Sequence, residues 1–230
     1  METYLVHLGH MPYQEAWDLQ RQVGAGVKSG ALPDTMLLVE HPPVYTVGRS
    51  AHDSLQNLLW DDERRRAEGI ELYMVDRGGD ITYHGPGQLV GYPIIDLTRH
   101  GRDLHRYLRR LEESIIAALQ YFGIDAVRKP PHTGVWIDQE KVAAIGVKAS
   151  HWITQHGFAL NVNPRLEHFA GIVPCGISDK GVTSMARMLG RPVNLGEVTP
   201  VVERELARTF GFEYREVDLE ALTGAVRASG

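Results

Sequence analysis

Gly134-Val135-Trp136-Ile137, then Asp138-Gln139-Glu140, then Lys141-Val142-Ala143-Ala144-Ile145-Gly146-Val147-Lys148-Ala149 follow one another without a break. The outer stretches read as strands and the middle one as the polar turn between them. His156 to Val162 reads as a further strand. Working outward, Thr35-Met36-Leu37-Leu38-Val39 is a short apolar run closed by His41-Pro42-Pro43, and Val44-Tyr45-Thr46-Val47 follows it, as two strands joined by a proline break would. Tyr92-Pro93-Ile94-Ile95-Asp96-Leu97 is another, with Pro93 favouring a place near a sheet edge. Helical spacing begins after Pro12, with Tyr13, Ala16, Trp17, Val23 and Val27. It recurs from about Asp103 to Phe122, where Leu104, Tyr107, Leu108, Leu111, Ile115, Ala118 and Leu119 form one stripe that Gly123 ends. A last helix starts at Asn194, with Glu197 completing a capping box. Strands outnumber helices and sit in adjacent runs. The expected fold is therefore α+β, a mixed, largely antiparallel sheet with flanking helices. No repeat or linker divides the chain, so residues 1–230 are expected to be one catalytic-size domain, weakly ordered from about 218 to 230.

Composition narrows the function. A hydrophobic fraction of 43% and a charged fraction of 23% are ordinary for a soluble globular protein. A net charge of -5 argues against a general nucleic-acid binder. The first residues carry no basic stretch leading into a long apolar run, and no later segment approaches the ~20 apolar residues of a membrane helix. One cysteine cannot form an internal disulfide. The expectation is a cytoplasmic protein with no membrane and no nucleic-acid partner. Lysine is scarce: among 24 basic residues only Lys28, Lys129, Lys141, Lys148 and Lys180 can exchange a proton near neutrality.

Three stretches carry candidate chemistry. Arg77-Gly78-Gly79-Asp80-Ile81-Thr82-Tyr83-His84-Gly85-Pro86-Gly87-Gln88 is rich in glycine, which lets backbone approach a ligand closely. It is neither a P-loop nor a dinucleotide fingerprint. A tight hairpin would also use these glycines, but Arg77, Thr82, Tyr83 and His84 tip the loop towards binding. On the strand from Lys141 to Lys148, side chains alternate faces, so the two lysines should point oppositely unless a bulge intervenes. Small Ala144 and Gly146 leave room there for a slim ligand. Cys175, the only thiol, sits in Val173-Pro174-Cys175-Gly176. A lone cysteine is more often a small buried hydrophobe than a nucleophile. To act, it needs an activator, either an ammonium or one of His84, His151 and His156. No second cysteine and no His-Glu-x-x-His are present, so no metal is expected.

Arg77 to Leu89, Lys141 to Gly146, His156-Gly157-Phe158-Ala159-Leu160-Asn161 and Pro174-Cys175-Gly176, in that order, resemble the bacterial lipoyl(octanoyl) transferases over about Tyr4 to Phe210. The resemblance implies the fold of the biotin and lipoate protein ligases, which is like that of class II aminoacyl-tRNA synthetases. It implies an acyltransferase that takes an octanoyl group from octanoyl-acyl carrier protein. The acceptor it implies is a lysine of the lipoyl domains of 2-oxoacid dehydrogenases or of glycine-cleavage H protein, and no cofactor is called for. It further implies Cys175 as the acyl-carrying nucleophile and Lys141 as its partner. Arg77, Gly78, Gly79, Asp80, Ile81, Thr82, Tyr83, His84, Ala144, Ile145, Gly146, Gly157, Phe158 and Ala159 are implied to line the acyl site. Two other readings stay open: an ATP-dependent lipoate or biotin ligase, and a non-catalytic acyl-binding module. Arg49 is a further candidate for docking an acidic carrier.

Overall fold

A computed structural model describes residues 1–173 and 181–227. The strands are β1 (Glu2–His10), β2 (Asp34–Glu40), β3 (Val44–Val47), β4 (Glu71–Met74), β5 (Ile81–His84), β6 (Gln88–Ile94), β7 (Val127–Lys129), β8 (His132–Ile137), β9 (Glu140–Ser150), β10 (Ile153–Asn161), β11 (Gly181–Val182) and β12 (Glu213–Glu216). The helices are α1 (Tyr13–Ser29), α2 (Asp62–Ala67), α3 (Leu104–Tyr121), α4 (Met185–Leu189), α5 (Leu195–Phe210) and α6 (Leu219–Arg227). A large sheet runs β12-β1-β2-β6-β10-β9-β8-β7, with β11 joining β9, and a small one runs β4-β3-β5. Pairs β12-β1, β1-β2, β11-β9 and β3-β4 are parallel and the rest antiparallel. This is the expected α+β class.

Local signals act as read. Asp103 caps α3 by accepting from the Arg106 N–H, and Gly123 takes φ +75° beyond its end. Asn194 and Glu197 form the reciprocal capping box of α5. α3 and α5 press their apolar stripes on one face of the large sheet, burying Leu111, Ile115, Leu119, Val198, Val202 and Leu206 with Leu89, Phe158 and Leu160. α1 covers the other face with Ala16, Leu19, Val23 and Val27 against Leu37, Val90, Tyr92 and Ile94. Among the described residues no helix is long and apolar enough to cross a membrane.

Two strands flank the proline break, as expected. β2 and β3 follow each other across Pro42-Pro43 but join different sheets, so the proline break marks where the chain leaves one layer for the other. Pro93 is not near an edge: β6 lies between β2 and β10, and Pro93 pairs with Met36. Its missing N–H breaks no β6–β10 rung, because pairing with β10 ends at Gly91↔Phe158, and its carbonyl accepts from Thr154 Oγ1 at 2.6 Å. Leu219–Arg227 form α6, which buries Leu222 beside α1.

The sheet centre is tight where β10 crosses β6. A Cβ added at Gly157 would stand 2.0 Å from the Gly91 carbonyl oxygen and 2.8 Å from Pro93 Cδ. Gly157→Ala is expected to cost about 3 kcal/mol, the upper end for overpacking, read as a lower urea midpoint at unchanged m-value.

Candidate active site

The glycine loop is held on three sides. The Gly78 N–H donates to the Val147 carbonyl of β9 (2.9 Å), and the Gly48 and Ser50 N–H groups donate to Asp80 and Gly79 carbonyls (3.0 and 3.2 Å). Asp80 accepts from Asn57 Nδ2 at 2.6 Å. Gly48 and Gly79 touch so closely that a Cβ at Gly48 would meet the Gly79 oxygen at 2.2 Å. Arg77 is buried and turned inward, with Nη2 donating to the Thr46 carbonyl and hydroxyl at 2.6 and 2.9 Å. Its stem lies against Gly146, where a Cβ would come within 3.1 Å of Arg77 Cδ.

Between this loop, β5 and the α1 side of the large sheet lies a cleft of about 490 Å3, part of it open to solvent. Arg77, Gly78, Gly79, Asp80, Thr82 and His84 line it on one side, and Ala144, Ile145, Gly146, Gly157, Phe158 and Ala159 on the other. Residues of the glycine loop, of β9 and of β10 thus meet around one space. Ile81 is the exception. It alternates with Thr82 on β5 and packs instead with Tyr45, Phe169 and Ile172 behind the small sheet. Tyr83 shares that side, its hydroxyl 2.8 Å from His168 Nδ1, yet it also borders a second, smaller cavity. The second cavity adjoins the first through Thr82, Ala144 and Ala159, and Lys141 lies on its wall.

Lys141 is 5% exposed. The strand-parity expectation fails here, because β9 bulges: Trp136 pairs with Lys141 but Val135 with Ala143, so β9 spends two residues on one step. Val142 and Ala143 both enter the helix-side core, and Lys141 shares the cavity face with Ala144, Gly146 and Lys148. Lys148 Nζ bonds Asp76 Oδ2 at 2.5 Å, and His156 Nε2 bonds Asp76 Oδ1 at 2.8 Å. The His156 hydrogen bond, with that of Lys148, holds the Asp76 carboxyl well below the usual range.

Cys175, with Pro174 and Gly176, lies outside the described residues. The chain that precedes it ends at Val173, whose N–H donates to the Asn57 carbonyl at 2.8 Å. After it, Val182 pairs with Lys141 and the Thr183 N–H donates to the Lys141 carbonyl at 3.0 Å. Of the histidines considered as thiol activators, His151 stands in the turn after β9, roughly 30 Å along the strand from Lys141 at ~3.3 Å per residue. His84 and His156 are buried on the cleft wall. Among the described residues no group of three or more His, Cys, Asp or Glu is placed to hold a metal ion.

Several wall residues went unnoticed in the sequence. Tyr13 stacks on His84 with ring centroids 6.0 Å apart, and Tyr92 meets His41 Nε2 at 2.7 Å while His41 Nδ1 meets the Met11 carbonyl at 2.7 Å. Gln88 joins His84 (3.2 Å) to Asn161 (2.9 Å), and Asn161 donates to the Thr183 carbonyl beside Lys141. Gln88 and Asn161 stood at the ends of quoted motifs, a signal that was present but unused. Nothing local marked Tyr13 or His41.

Burial pushes His41 down to about 4 and His84 well below its ordinary value, so both are neutral at pH 7. A histidine with a depressed folded-state value stabilises fully above the unfolded value of about 6.5 and loses that contribution as pH falls towards the folded one. The urea midpoint is therefore expected to drop between pH 7 and 4.5, each histidine adding a slope of up to about 1.4 kcal/mol per pH unit. His41→Gln should flatten that slope; an equally steep profile in the variant would place the acid sensitivity elsewhere.

The chain is thus a mixed sheet backed by helices, with a cleft that adjoins a smaller cavity walled by the buried Lys141. In fold it is similar to a crystal structure of lipoate-protein ligase A bound with ATP (TM-score 0.78, 18% identity, 99% of this chain and 94% of that one). It is also similar to the biotin protein ligase of Aquifex aeolicus (TM-score 0.53, 16% identity, 92% and 70%). The chain belongs to the lipoyl protein ligase A/B catalytic domain family, whose model matches residues 12–207. Among curated relatives, the octanoyltransferase of Rubrobacter xylanophilus is 55% identical over 203 residues, 88% of this chain and 89% of its own. That of Caldicellulosiruptor saccharolyticus is 42% identical over 229 residues, 99% and 97%.

Proposed function

We propose that this protein is an octanoyltransferase of protein lipoylation. It moves an octanoyl or lipoyl group from acyl carrier protein, through a thioester on Cys175, to one lysine of a lipoyl domain or of glycine-cleavage H protein. The observation that carries this reading is Lys141, buried on the wall of the smaller cavity that adjoins the cleft, in a chain 55% identical to a protein named octanoyltransferase. In the first step the Cys175 thiolate attacks the carrier thioester, the carrier thiol leaves, and the enzyme thioester forms. The protonated Lys141 favours the thiolate by charge attraction. Acylation removes that negative charge, and Lys141 gives its proton to the departing carrier thiolate; the neutral Lys141 amine then takes a proton from the incoming acceptor amine as the amide forms and the Cys175 thiolate leaves. Thioester-to-thioester exchange is near energy balance and thioester-to-amide transfer runs downhill, so no nucleotide is required. Burying the acyl chain contributes up to ~0.8 kcal/mol per CH2.

The test is to mix the purified protein with octanoyl carrier protein and an apo lipoyl domain without nucleotide. Octanoylated acceptor and a thiol-released acyl mass on the enzyme are expected. The fold's likeness to a ligase bound with ATP keeps one rival reading; acceptor modification from free octanoate only when ATP is added would favour it. Arg49, exposed and anchored through its N–H to the Arg77 carbonyl (3.0 Å), borders the loop that lines the cleft. Arg49→Ala is expected to raise KM for the acidic carrier with little change in kcat, and salt should weaken wild-type docking across the ~8 Å Debye range. A salt-independent KM would remove the electrostatic account.

A further inference from the structure

Lys141 reaches the cavity by a route that β8 builds for it. The β9 bulge turns Lys141 to the cavity face, and on β8 Val135 and Ile137 enter the helix-side core, leaving Trp136 between them on the same face as Lys141. One step further along β8, Gly134 takes φ +127°, and a Cβ there would meet the Ala143 oxygen at 2.8 Å and Lys141 Cε and Cδ at 3.4 and 3.5 Å. The lysine stem therefore runs across the bare backbone of Gly134. Its Nζ ends 4.8 Å from the centroid of the Trp136 ring, well inside the ~6 Å reach of a cation–π contact. Lys129 Nζ stands at the margin of that reach, 6.0 Å from the same ring, and is bonded to the Asp138 carbonyl.

Two features say that the ring face is what this position uses. Trp136 is 1% exposed, and an ammonium–ring attraction strengthens when water is excluded. Its indole Nε1 is buried without a hydrogen-bond partner, so the N–H that usually justifies a buried tryptophan is idle.

We infer that Trp136 is a positioning residue for Lys141, its indole face holding the ammonium at the cavity end during transfer. The inference rests on the reading of Lys141 as the lysine that exchanges a proton with the reacting groups. Gly134 belongs to the same device: its φ of +127° and the Ala143 oxygen, 2.8 Å from any added Cβ, keep the position bare beside the lysine stem.

The test uses the full chain labelled with 13C at lysine Cε, where five lysines give a simple spectrum. The Lys141 ε-protons, assigned by their loss in Lys141→Arg, are expected upfield of the other lysines through the Trp136 ring current. Trp136→Leu should return them to the ordinary position and lower kcat about tenfold or more, with KM for the carrier within about threefold. Trp136→Phe should keep most of the upfield shift and recover most of kcat, which a purely space-filling role would not require of an aromatic in preference to leucine. Far-UV circular dichroism at the assay temperature confirms that both variants are folded. An ordinary Lys141 shift in the wild type, or Phe as impaired as Leu, would overturn the inference alone. Wild-type turnover in Lys141→Met would overturn the reading of Lys141 and this inference with it.

Discussion

Cys175→Ala is expected to abolish octanoyl transfer while the protein stays folded. The chain has a single thiol, so no other side chain can carry the acyl group as a thioester. The expected signature is twofold: turnover below detection with octanoyl carrier protein, and no acyl mass on the enzyme. Cys175→Ser should be nearly as inactive, because an ammonium that suffices to favour a thiolate from a thiol near pKa ~8.5 does not suffice to ionise a hydroxyl. Turnover close to wild type in the alanine variant would rule out covalent catalysis at this position and revive direct transfer or adenylate chemistry.

Lys141→Met is expected to lower transfer by about 10²- to 10⁴-fold, the range for a missing general acid–base group, whereas Lys148→Met should cost no more than a few-fold. Their surroundings explain the difference. Lys141 is buried on the wall of the inner cavity, next to the strand that returns from the Cys175 segment. Lys148 ends on Asp76, and Asp76 keeps its bond to His156 when Lys148 is removed. Iodoacetamide alkylation of the single cysteine, followed against pH, separates the two. Lys141→Met should shift the alkylation profile to higher pH and Lys148→Met should leave it in place. The opposite pattern would exchange the roles of the two lysines.

The distinction between these lysines shows how far strand parity carries. Alternation of side chains along β9 predicts that residues seven apart face opposite ways, and from Ala143 to Lys148 the alternation holds. One extra residue at Val142 reverses it for Lys141, and no feature of Lys141-Val142-Ala143 announces a bulge. The reason lies across the sheet, where Gly134 leaves space for the lysine stem and Trp136 stands beside its end. Pro93 illustrates the same limit. Its missing N–H suggested an edge, yet it sits mid-sheet because the β6–β10 pairing stops at Gly91↔Phe158, before Pro93 would have to supply a donor.

What the residues determine by themselves is local. Asp103 and Gly123 bound α3, Asn194 and Glu197 start α5, and Asp138-Gln139 turns β8 into β9. Each such signal acts within a few residues, through a cap, a backbone angle or a periodicity. The glycine loop, the small residues of β9 and β10, and the lone cysteine are legible for the same reason, since their chemistry belongs to the residue types. The tertiary structure alone decides which of them share a space. It brings α1 and β6 together so that Tyr13 and Tyr92 close the cleft, turns Ile81 away from it, and seats Lys141 beside Trp136. Those outcomes depend on contacts between residues far apart in the chain, and strand order and packing, not neighbouring sequence, determine them.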